Sequence, residues 1–346
     1  MLEEGCFGRI GGALGEARGN GLLFSPHPVR ELEWTDRNVL TQPGTLAIIS
    51  NYYVFISNNY YQTGGEAMNL EVEFVKLNPT QNMTVLVNTP LPQEAHAAVA
   101  SRMMAYDNVF AEQVGFIEKP RQCSASARLS MAGGEFCGNA CMALAALIAE
   151  DSGLPPGKVM TVELEASGAE RLVRCEASRA EDRFRCQVEM PLPRRIETKS
   201  ITLGGEARSV GLVCYAESTH LVLEVESFSE SIRTEACELA RLLGAMLDDR
   251  LIGIMLYRPG VSEMQPLIYI PSLDSLVWER GCGSGSASVG AYLCWKKGRS
   301  VSLSLRQPGG TIAVEAESEG GEHQEAEHSR ARQYRRPRHG LHNGLT

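Results

Sequence analysis

Two uncharged stretches of sequence place the tightest limits on how this chain can fold. Gly138 to Ala149 and Gly283 to Trp295 each contain no charged residue over about three helical turns. A helix that is uncharged and largely apolar on every side has to be buried on every side. Strand-like runs surround both stretches, so we expect two similar domains, each with strands wrapped around one buried helix.

Short runs rich in β-branched and aromatic residues fill most of the remaining chain, which predicts a mostly β framework. The run Leu70–Leu77 alternates apolar and polar residues as a half-buried strand does. Further strands are predicted at Thr84–Asn88, Val114–Ile117, Arg128–Met131, Val159–Glu165, Phe184–Met190, Leu221–Val225, Ile252–Leu256, Leu267–Ile270 and Val301–Leu305. Helices are predicted at Gln93–Ala105 and Ser229–Leu247, the second with Leu239, Leu242, Leu243 and Met246 on one stripe.

Composition narrows the class of protein. A length of 346 residues suggests two domains, at roughly 150 residues each. The net charge of -9 disfavours non-specific binding to nucleic acid or an anionic membrane, and no apolar run is long enough for a membrane-spanning helix. The 10 cysteines are too sparse for a disulfide scaffold, and none has Cys-x-x-Cys spacing. With no export signal in the sequence, we expect a cytoplasmic protein with free thiols that acts on a small molecule.

The two ends of the chain differ from its middle. Residues 1–67 show no sustained helical or strand period, and Gly64-Gly65 lies just before Met68, where a ribosome-binding site could be encoded. We therefore predict that residues 1–67 are a non-native or disordered extension. Residues 315–346 become Glu/Gly-rich and then Arg/His-rich, which predicts an irregular, disordered tail or a frameshift. The domains are expected at residues 68–195 and 196–314.

The same short motif precedes both uncharged stretches: an acidic residue, then two or three residues later a cysteine that is followed directly by glycine. It reads Glu135-Phe136-Cys137-Gly138-Asn139 in the first half and Glu279-Arg280-Gly281-Cys282-Gly283-Ser284 in the second. Each thiol would lie at a helix N-terminus, where free backbone N–H groups bind a carboxylate and the positive end of the helix dipole favours a thiolate. We expect the dipole to lower each thiol pKa by up to about 1.5 units, close to neutrality.

Two cysteines that face one carbon atom could perform either of two reactions. A redox pair normally has its cysteines two residues apart, whereas Cys137 and Cys282 are 145 residues apart. They could instead act as base and acid on opposite faces of a carbon acid, which inverts it and needs no cofactor or metal. Most other cysteines are interpreted as small hydrophobic residues: Cys141, Cys175, Cys186, Cys214, Cys237 and Cys294.

The two cysteine motifs resemble the active-site motifs of the diaminopimelate epimerase superfamily of cofactor-independent amino-acid racemases and epimerases. The resemblance covers residues 68 to about 314 and implies an α+β, diaminopimelate-epimerase-like fold: two pseudo-symmetric β-barrel-like domains, each wrapped around a central helix. Within the superfamily, the chain most resembles the histidine racemases of staphylopine-type opine metallophore biosynthesis. The stretches that carry this likeness are Asn78–Thr84, Glu112–Glu118, Gly134–Ala140, Gln265–Pro271 and Gln307–Gly310.

The resemblance implies roles for the residues that match. Cys137 and Cys282 would be the two catalytic bases. The substrate would be bound by Asn82, Glu112, Gly138, Asn139, Glu279, Gly283 and Ser284. Those at the helix N-termini would hold its carboxylate, and Glu112 its ammonium or imidazole group. The family also implies no cofactor, no metal and a homodimer.

One stretch departs from the diaminopimelate epimerases, which carry an Asn and an Asp-Gly-Ser-Glu run shortly before the first cysteine. Here that region reads Leu129-Ser130-Met131-Ala132-Gly133-Gly134, which would leave the distal end of diaminopimelate poorly bound. We therefore predict a histidine racemase that serves a metallophore pathway. A diaminopimelate epimerase or a proline-type racemase is the enzymatic alternative. A non-catalytic carboxylate-binding module is the alternative of another class, and the presence of both cysteines argues against it.

Overall fold

The protein has a mixed α+β fold, and its described residues form two β-sheets and four α-helices. A computed structural model describes residues 45–56, 70–180, 183–203 and 205–318. The first half consists of β1 (Thr45–Ile56), β2 (Leu70–Pro79), β3 (Thr84–Val87), α1 (Gln93–Met104), β4 (Gln113–Glu118), β5 (Ala127–Met131), α2 (Gly138–Asp151), β6 (Val159–Ala166), β7 (Val173–Arg179) and β8 (Phe184–Val188). The second consists of β9 (Arg195–Leu203), β10 (Glu206–Cys214), β11 (Ser218–Glu224), α3 (Glu230–Met246), β12 (Leu251–Arg258), β13 (Glu263–Ile270), β14 (Ser275–Trp278), α4 (Gly283–Lys297), β15 (Val301–Gln307) and β16 (Gly310–Ala316).

The strands of the first half pair in sequence order and close on themselves. β1 pairs antiparallel with β2 along its length, and its first two residues pair with β8. The neighbours β3–β4 and β5–β6 are parallel, because α1 and α2 cross over between them. α2 contributes Ala140, Cys141 and Leu144 to a core shared with strand residues such as Leu77 and Leu164.

The strands of the second half form a sheet in the order β16-β15-β13-β12-β11-β10-β9, with β14 paired to β13. Within the described residues this sheet has ends at β9 and β16, whereas the sequence led us to expect a barrel-like second domain. Side chains alternate between its two faces. Ile252 and Ile254 pack toward α3, while Met255 packs toward α4 beside Val289 and Tyr292.

The ends of the chain are only partly covered by the described residues. β1 lies inside residues 1–67, where the sequence shows no sustained period. The remainder of that range and residues 319–346 lie outside the described residues, so their predicted non-native or disordered character stays a prediction. Among the described residues, no helix combines the length and apolarity needed to cross a membrane.

Candidate active site

Cys137 and Cys282 occupy matching positions at the N-termini of α2 and α4. Each is the N-cap residue of its helix, in an extended backbone conformation with φ -130° and -122° respectively. The Cys137 sulfur accepts a hydrogen bond from the backbone N–H of Ala140 at 3.4 Å, and the Cys282 sulfur accepts one from Gly285 at 3.3 Å. A thiol here takes the capping role usually filled by a Ser or Asp oxygen, so each sulfur is fixed at its helix terminus.

One cleft brings together most of the residues that the sequence predicts to be functional. It contains about 460 Å³ of space not filled by protein atoms, part of which is open to solvent. The predicted residues that line it are Glu112, Cys137, Gly138, Asn139, Glu279, Cys282, Gly283 and Ser284. Asn82 does not line the cleft. It is fully buried behind it, with its side chain bonded to lining residues Glu112 and Gln113.

The N-termini of α2 and α4 are in direct contact. Asn139 Nδ2 donates a hydrogen bond to the carbonyl of Gly281 at 2.8 Å. A Cβ atom at Gly283 would lie only 3.0 Å from Asn139 Oδ1, so glycine permits this close approach. The free N–H groups of both helices therefore converge on one place, which is where a substrate carboxylate would be bound best.

A chain of side-chain amides connects Glu112 to the Cys137 sulfur. Asn82 Nδ2 donates to Glu112 Oε2 at 3.2 Å, and Gln113 Nε2 donates to Asn82 Oδ1. Gln113 Nε2 also donates to Thr84 Oγ1 at 2.6 Å, which leaves Gln113 Oε1 to accept from the Cys137 thiol at 2.9 Å. Gln113 therefore contacts a proposed reacting atom directly.

Burial raises the pKa of both thiols above the ordinary thiol range. The negative field of Glu279 adds to burial at Cys137 and at Cys282. The backbone N–H of Ala140 lowers the Cys137 pKa, and that of Gly285 the Cys282 pKa, but each offsets only part of the rise. The expectation that the helix N-termini bring the thiols close to neutrality is therefore wrong, because burial and nearby carboxyl groups outweigh the dipole.

Three carboxyl groups with raised pKa values line the same cleft. Burial, reinforced by Glu279, raises the pKa of Glu112 to about 8, with partial relief from Arg280. Burial likewise raises the pKa of Glu279 and of Glu135 to about 7. No Lys or Arg is among the residues that line the cleft, so a cationic ligand would relieve the repulsion among these carboxyl groups.

A strained turn between β2 and β3 holds Asn82 in place. Thr80 and Gln81 have left-handed backbone conformations, with φ of 55° and 57°. The turn packs so tightly on the second half that a Cβ atom at either Gly281 or Gly309 would lie 2.4 Å from the Thr80 carbonyl oxygen. Arg280 Nε also donates to Gln81 Oε1 at 2.8 Å. The backbone strain is thus maintained by contacts beside the candidate site.

Sequence reasoning missed two residues of this cleft, Gln113 and Glu135. Gln113 adjoins Glu112, and alternation along a strand suggests that only one of two neighbours faces a given side. Glu112 lies just before β4, however, so both side chains reach the site. Glu135 could have been predicted, because it is the acidic residue of the first cysteine motif. Within the described part of the chain, no group of three or more His, Cys, Asp or Glu side chains could hold a metal ion.

Comparison with solved structures defines the class of fold. A probable proline racemase from Agrobacterium radiobacter K84, with bound carbonate, matches with a TM-score of 0.52 at 14% identity, over 70% of this chain and 83% of its own. A hydroxyproline epimerase from Agrobacterium vitis, with bound trans-4-OH-L-proline, matches with a TM-score of 0.54 at 11% identity, over 71% and 84%. The protein has the fold of proline-racemase-like isomerases.

Sequence comparison then gives the family. The family model described as the histidine racemase CntK N-terminal domain matches residues 71–329. A histidine racemase from Staphylococcus aureus is 33% identical over 245 residues, which is 70% of this chain and 88% of the relative. A histidine racemase from Fusobacterium nucleatum subsp. nucleatum is 27% identical over 224 residues, which is 64% of this chain and 81% of the relative. The chain belongs to the CntK histidine racemase family, and it is an isomerase that acts as an amino-acid racemase.

Proposed function

We propose that this protein interconverts L-histidine and D-histidine by a two-base reaction at Cys137 and Cys282. The observation that carries the proposal is that both thiols cap buried helices whose N-termini meet in one cleft. The names of its relatives support histidine as the substrate. The three carboxyl groups of the cleft fit an amino acid that brings an ammonium group and a basic ring.

Substrate binding follows from the charges of the cleft. The backbone N–H groups of Gly138, Asn139, Gly283 and Ser284 would hold the α-carboxylate. Glu112 and Glu279 would pair with the α-ammonium group. That ammonium group would offset the negative field of Glu279, which otherwise raises both thiol pKa values. Substrate binding would therefore favour ionisation of one thiol at the moment when a base is needed.

The reaction itself moves one proton on each face of the α-carbon. The thiolate of one cysteine takes the α-proton, which breaks a C–H bond and forms an S–H bond. The electron pair spreads into the carboxylate, where the two helix N-termini stabilise the added negative charge. The opposite thiol then gives its proton to the other face of the carbon and becomes the thiolate. The net result is inversion, with the protonation states of Cys137 and Cys282 exchanged and no cofactor consumed.

The wider setting of the enzyme is part of the same proposal. We infer that D-histidine serves opine metallophore biosynthesis, and that the enzyme works in the cytoplasm as a homodimer. Nine described cysteines are free thiols, which fits a reducing compartment. We assign residues 68–195 and 196–314 to the two pseudo-symmetric halves of a diaminopimelate-epimerase-like fold, each packed around one helix.

The test is incubation of the purified protein with L-histidine in deuterated water, followed by chiral chromatography and mass analysis. D-histidine that carries one deuterium at the α-carbon is expected. Cys137→Ser and Cys282→Ser should each abolish inversion, because a serine hydroxyl is too weak an acid and base here. Cys123→Ser, at an exposed cysteine away from the cleft, is the matched control and should retain activity.

Two results would overturn the proposal. Inversion that survives either active-site substitution would refute the two-base assignment. A folded protein that exchanges no α-proton of histidine would refute the substrate, and diaminopimelate and proline would be tried next. Failure with all three amino acids would favour a carboxylate-binding module.

A further inference from the structure

Glu135 is the most buried carboxyl group that lines the cleft. Its exposed fraction is 4%, and its Oε2 has no hydrogen-bond partner among the described residues. A buried carboxyl oxygen without a partner is costly, and in a native structure it calls for a functional explanation. None of the steps in the two-base reaction above uses this group.

The position of Glu135 is rigidly fixed by its backbone. Its carbonyl accepts a hydrogen bond from Ser167 Oγ at 2.7 Å, and Ser167 Oγ in turn accepts one from the backbone N–H of Met131 at 2.9 Å. Gly168 packs so closely that a Cβ atom there would lie 2.4 Å from the backbone nitrogen of Phe136. Such support is what a side chain needs if it is to recognise a ligand by one oriented oxygen atom.

The cleft wall beside this carboxyl group is apolar on one side, while the backbone N–H of Gly133 and the charges of Arg250 and Glu279 act on the group from elsewhere. A Cβ atom at Gly133 would lie 2.7 Å from Glu135 Oε2 and 2.6 Å from the Ile270 side chain, so the carboxyl oxygen lies close to Ile270. The apolar residues that line the cleft are Phe136, Leu251, Ile268, Ile270 and Val277. A flat ring with apolar faces and a polar edge matches an apolar stretch of wall beside a buried carboxyl acceptor.

We propose that Glu135 determines the side-chain specificity of the enzyme by accepting a hydrogen bond from the imidazole N–H of histidine at Oε2. This inference rests on the proposed function and divides the carboxyl groups between two tasks. Glu112 is already bonded to Asn82, beside the amide chain that reaches Cys137, and it serves the α-ammonium group. Glu135 is outside that chain and serves the ring.

The acidity of the two partners is well matched. Burial raises the pKa of Glu135 to about 7, close to the ordinary value of about 6.5 for an imidazole. A proton can therefore be shared between carboxylate and ring near neutral pH, which gives a strong, charge-assisted hydrogen bond. An amino acid whose ring lacks an N–H would leave the buried Glu135 oxygen without a partner, and such sites reject the analogue strongly.

The experiment compares histidine with 3-(2-thienyl)alanine, which has a five-membered ring of similar size and no N–H. Solvent deuterium exchange at the α-carbon and calorimetric dissociation constants are measured for both amino acids, with the native enzyme and Glu135→Gln. The substitution should lower kcat/KM and affinity for histidine about tenfold to hundredfold. The values for thienylalanine should change by less than about threefold, since it makes no such bond. Thienylalanine also reports whether the variant still folds and binds.

Two matched variants separate specificity from general effects. Glu112→Gln should weaken both amino acids alike, because both carry an α-ammonium group. Glu150→Gln removes an exposed carboxyl group at the far end of α2 and should change neither. Equal losses for both amino acids in Glu135→Gln, or no loss for histidine, would overturn the inference. A native enzyme that neither binds nor exchanges histidine would instead show that the proposed function has failed.

Discussion

At the scale of single residues, the two cysteines are placed alike but have different neighbours. Glu112 accepts a hydrogen bond from Asn82 Nδ2, which fixes the orientation of the Asn82 amide group. The Asn82 oxygen then accepts from Gln113 Nε2 and fixes the Gln113 amide group in turn. The Cys137 thiol therefore meets an acceptor, the Gln113 carbonyl, whereas the Cys282 thiol meets the Glu279 carboxyl group and lies 3.5 Å from the Ser284 hydroxyl, which is able to donate. An acceptor favours the thiol and a donor favours the thiolate. Both thiols are thus held in the protonated form at rest, Cys137 by Gln113 and Cys282 by Glu279.

Substitutions at Gln113 should shift the Cys137 pKa in opposite directions. Gln113→Met removes the acceptor that stabilises the Cys137 thiol. Loss of a hydrogen bond of about 0.5–1.5 kcal/mol should lower the Cys137 pKa by about 0.4–1 unit. Gln113→Glu places a negative charge beside the sulfur and should raise the pKa. The measurement is the rate of iodoacetamide alkylation of Cys137 at pH 9, followed by peptide mass spectrometry.

Exposed Cys123 provides the internal control for those rates, and its alkylation should be the same in every variant. A purely structural role for Gln113 predicts that both substitutions change the Cys137 rate in the same direction. That outcome would contradict the assigned orientation of the amide chain.

At the scale of secondary-structure elements, the sequence was most informative where burial is most extensive. α2 and α4 are predictable because an uncharged helix has only one stable environment. α3 shows the limit of this reasoning: Leu242 and Met246, on its predicted stripe, are 56% and 70% exposed. The core face of α3 is made instead by Ile232, Ala236 and Ala240.

Strands with little buried surface escaped detection for a related reason. β9 is mostly exposed and rich in charged residues, so its sequence lacks the alternation that marks a half-buried strand. It is a strand because β10 supplies nine paired positions along its length. The β2–β3 turn was equally hidden, since Thr80 and Gln81 are not residues that favour left-handed backbone. Tertiary contacts decide both conformations.

The contact of that turn with Gly281 can be tested by Gly281→Ala. The new methyl group would lie 2.4 Å from the Thr80 carbonyl oxygen, so the turn must move and displace Asn82 with it. We expect a loss of about 1–3 kcal/mol in the free energy of unfolding, measured by urea titration, and a loss of histidine exchange.

Gly260→Ala is the control for that substitution, because a Cβ atom there meets nothing within 4 Å. Its unfolding free energy should change by less than about 0.5 kcal/mol. If Gly281→Ala is equally harmless in stability and activity, the turn is not held by this contact.

At the scale of the whole molecule, the buried carboxyl groups of the cleft lower the free energy of unfolding as pH rises. Glu112, Glu135 and Glu279 have pKa values of about 8, 7 and 7, against 4.5 for the ordinary carboxyl group. Between these values the unfolded chain releases protons that the folded protein retains, so unfolding becomes easier as pH rises. Burial lowers the pKa values of His96 and His220, so these residues make the folded protein more stable as pH rises. Their effect is confined to pH values below their ordinary pKa of 6.5. Above pH 6.5 the carboxyl groups act first, and the buried thiols, whose pKa values are also raised, add an effect of the same sign as the pH approaches 9.

The free energy of unfolding should therefore fall as pH rises from 6.5 to 8.5, as measured by urea titration at several pH values. The triple variant Glu112→Gln, Glu135→Gln, Glu279→Gln should show a flatter dependence, because its side chains do not ionise. Histidine should stabilise the native protein more at pH 8 than at pH 6.5, since its α-ammonium group, which is still charged at pH 8, would meet carboxyl groups that are more fully ionised. An unchanged slope in the triple variant would assign the pH dependence to other groups.

The contact between α2 and α4 also bears on how such a chain can change over generations. Asn139 reaches across to the Gly281 carbonyl, and its oxygen would lie 3.0 Å from a Cβ atom at position 283. A larger residue at position 283 would push Asn139 aside, and a smaller residue at position 139 would relieve that contact. The two halves of the gene are therefore not free to drift separately at these positions. Swapping one half for that of a distant relative would join two unmatched surfaces at the very place where the reacting carbon has to sit.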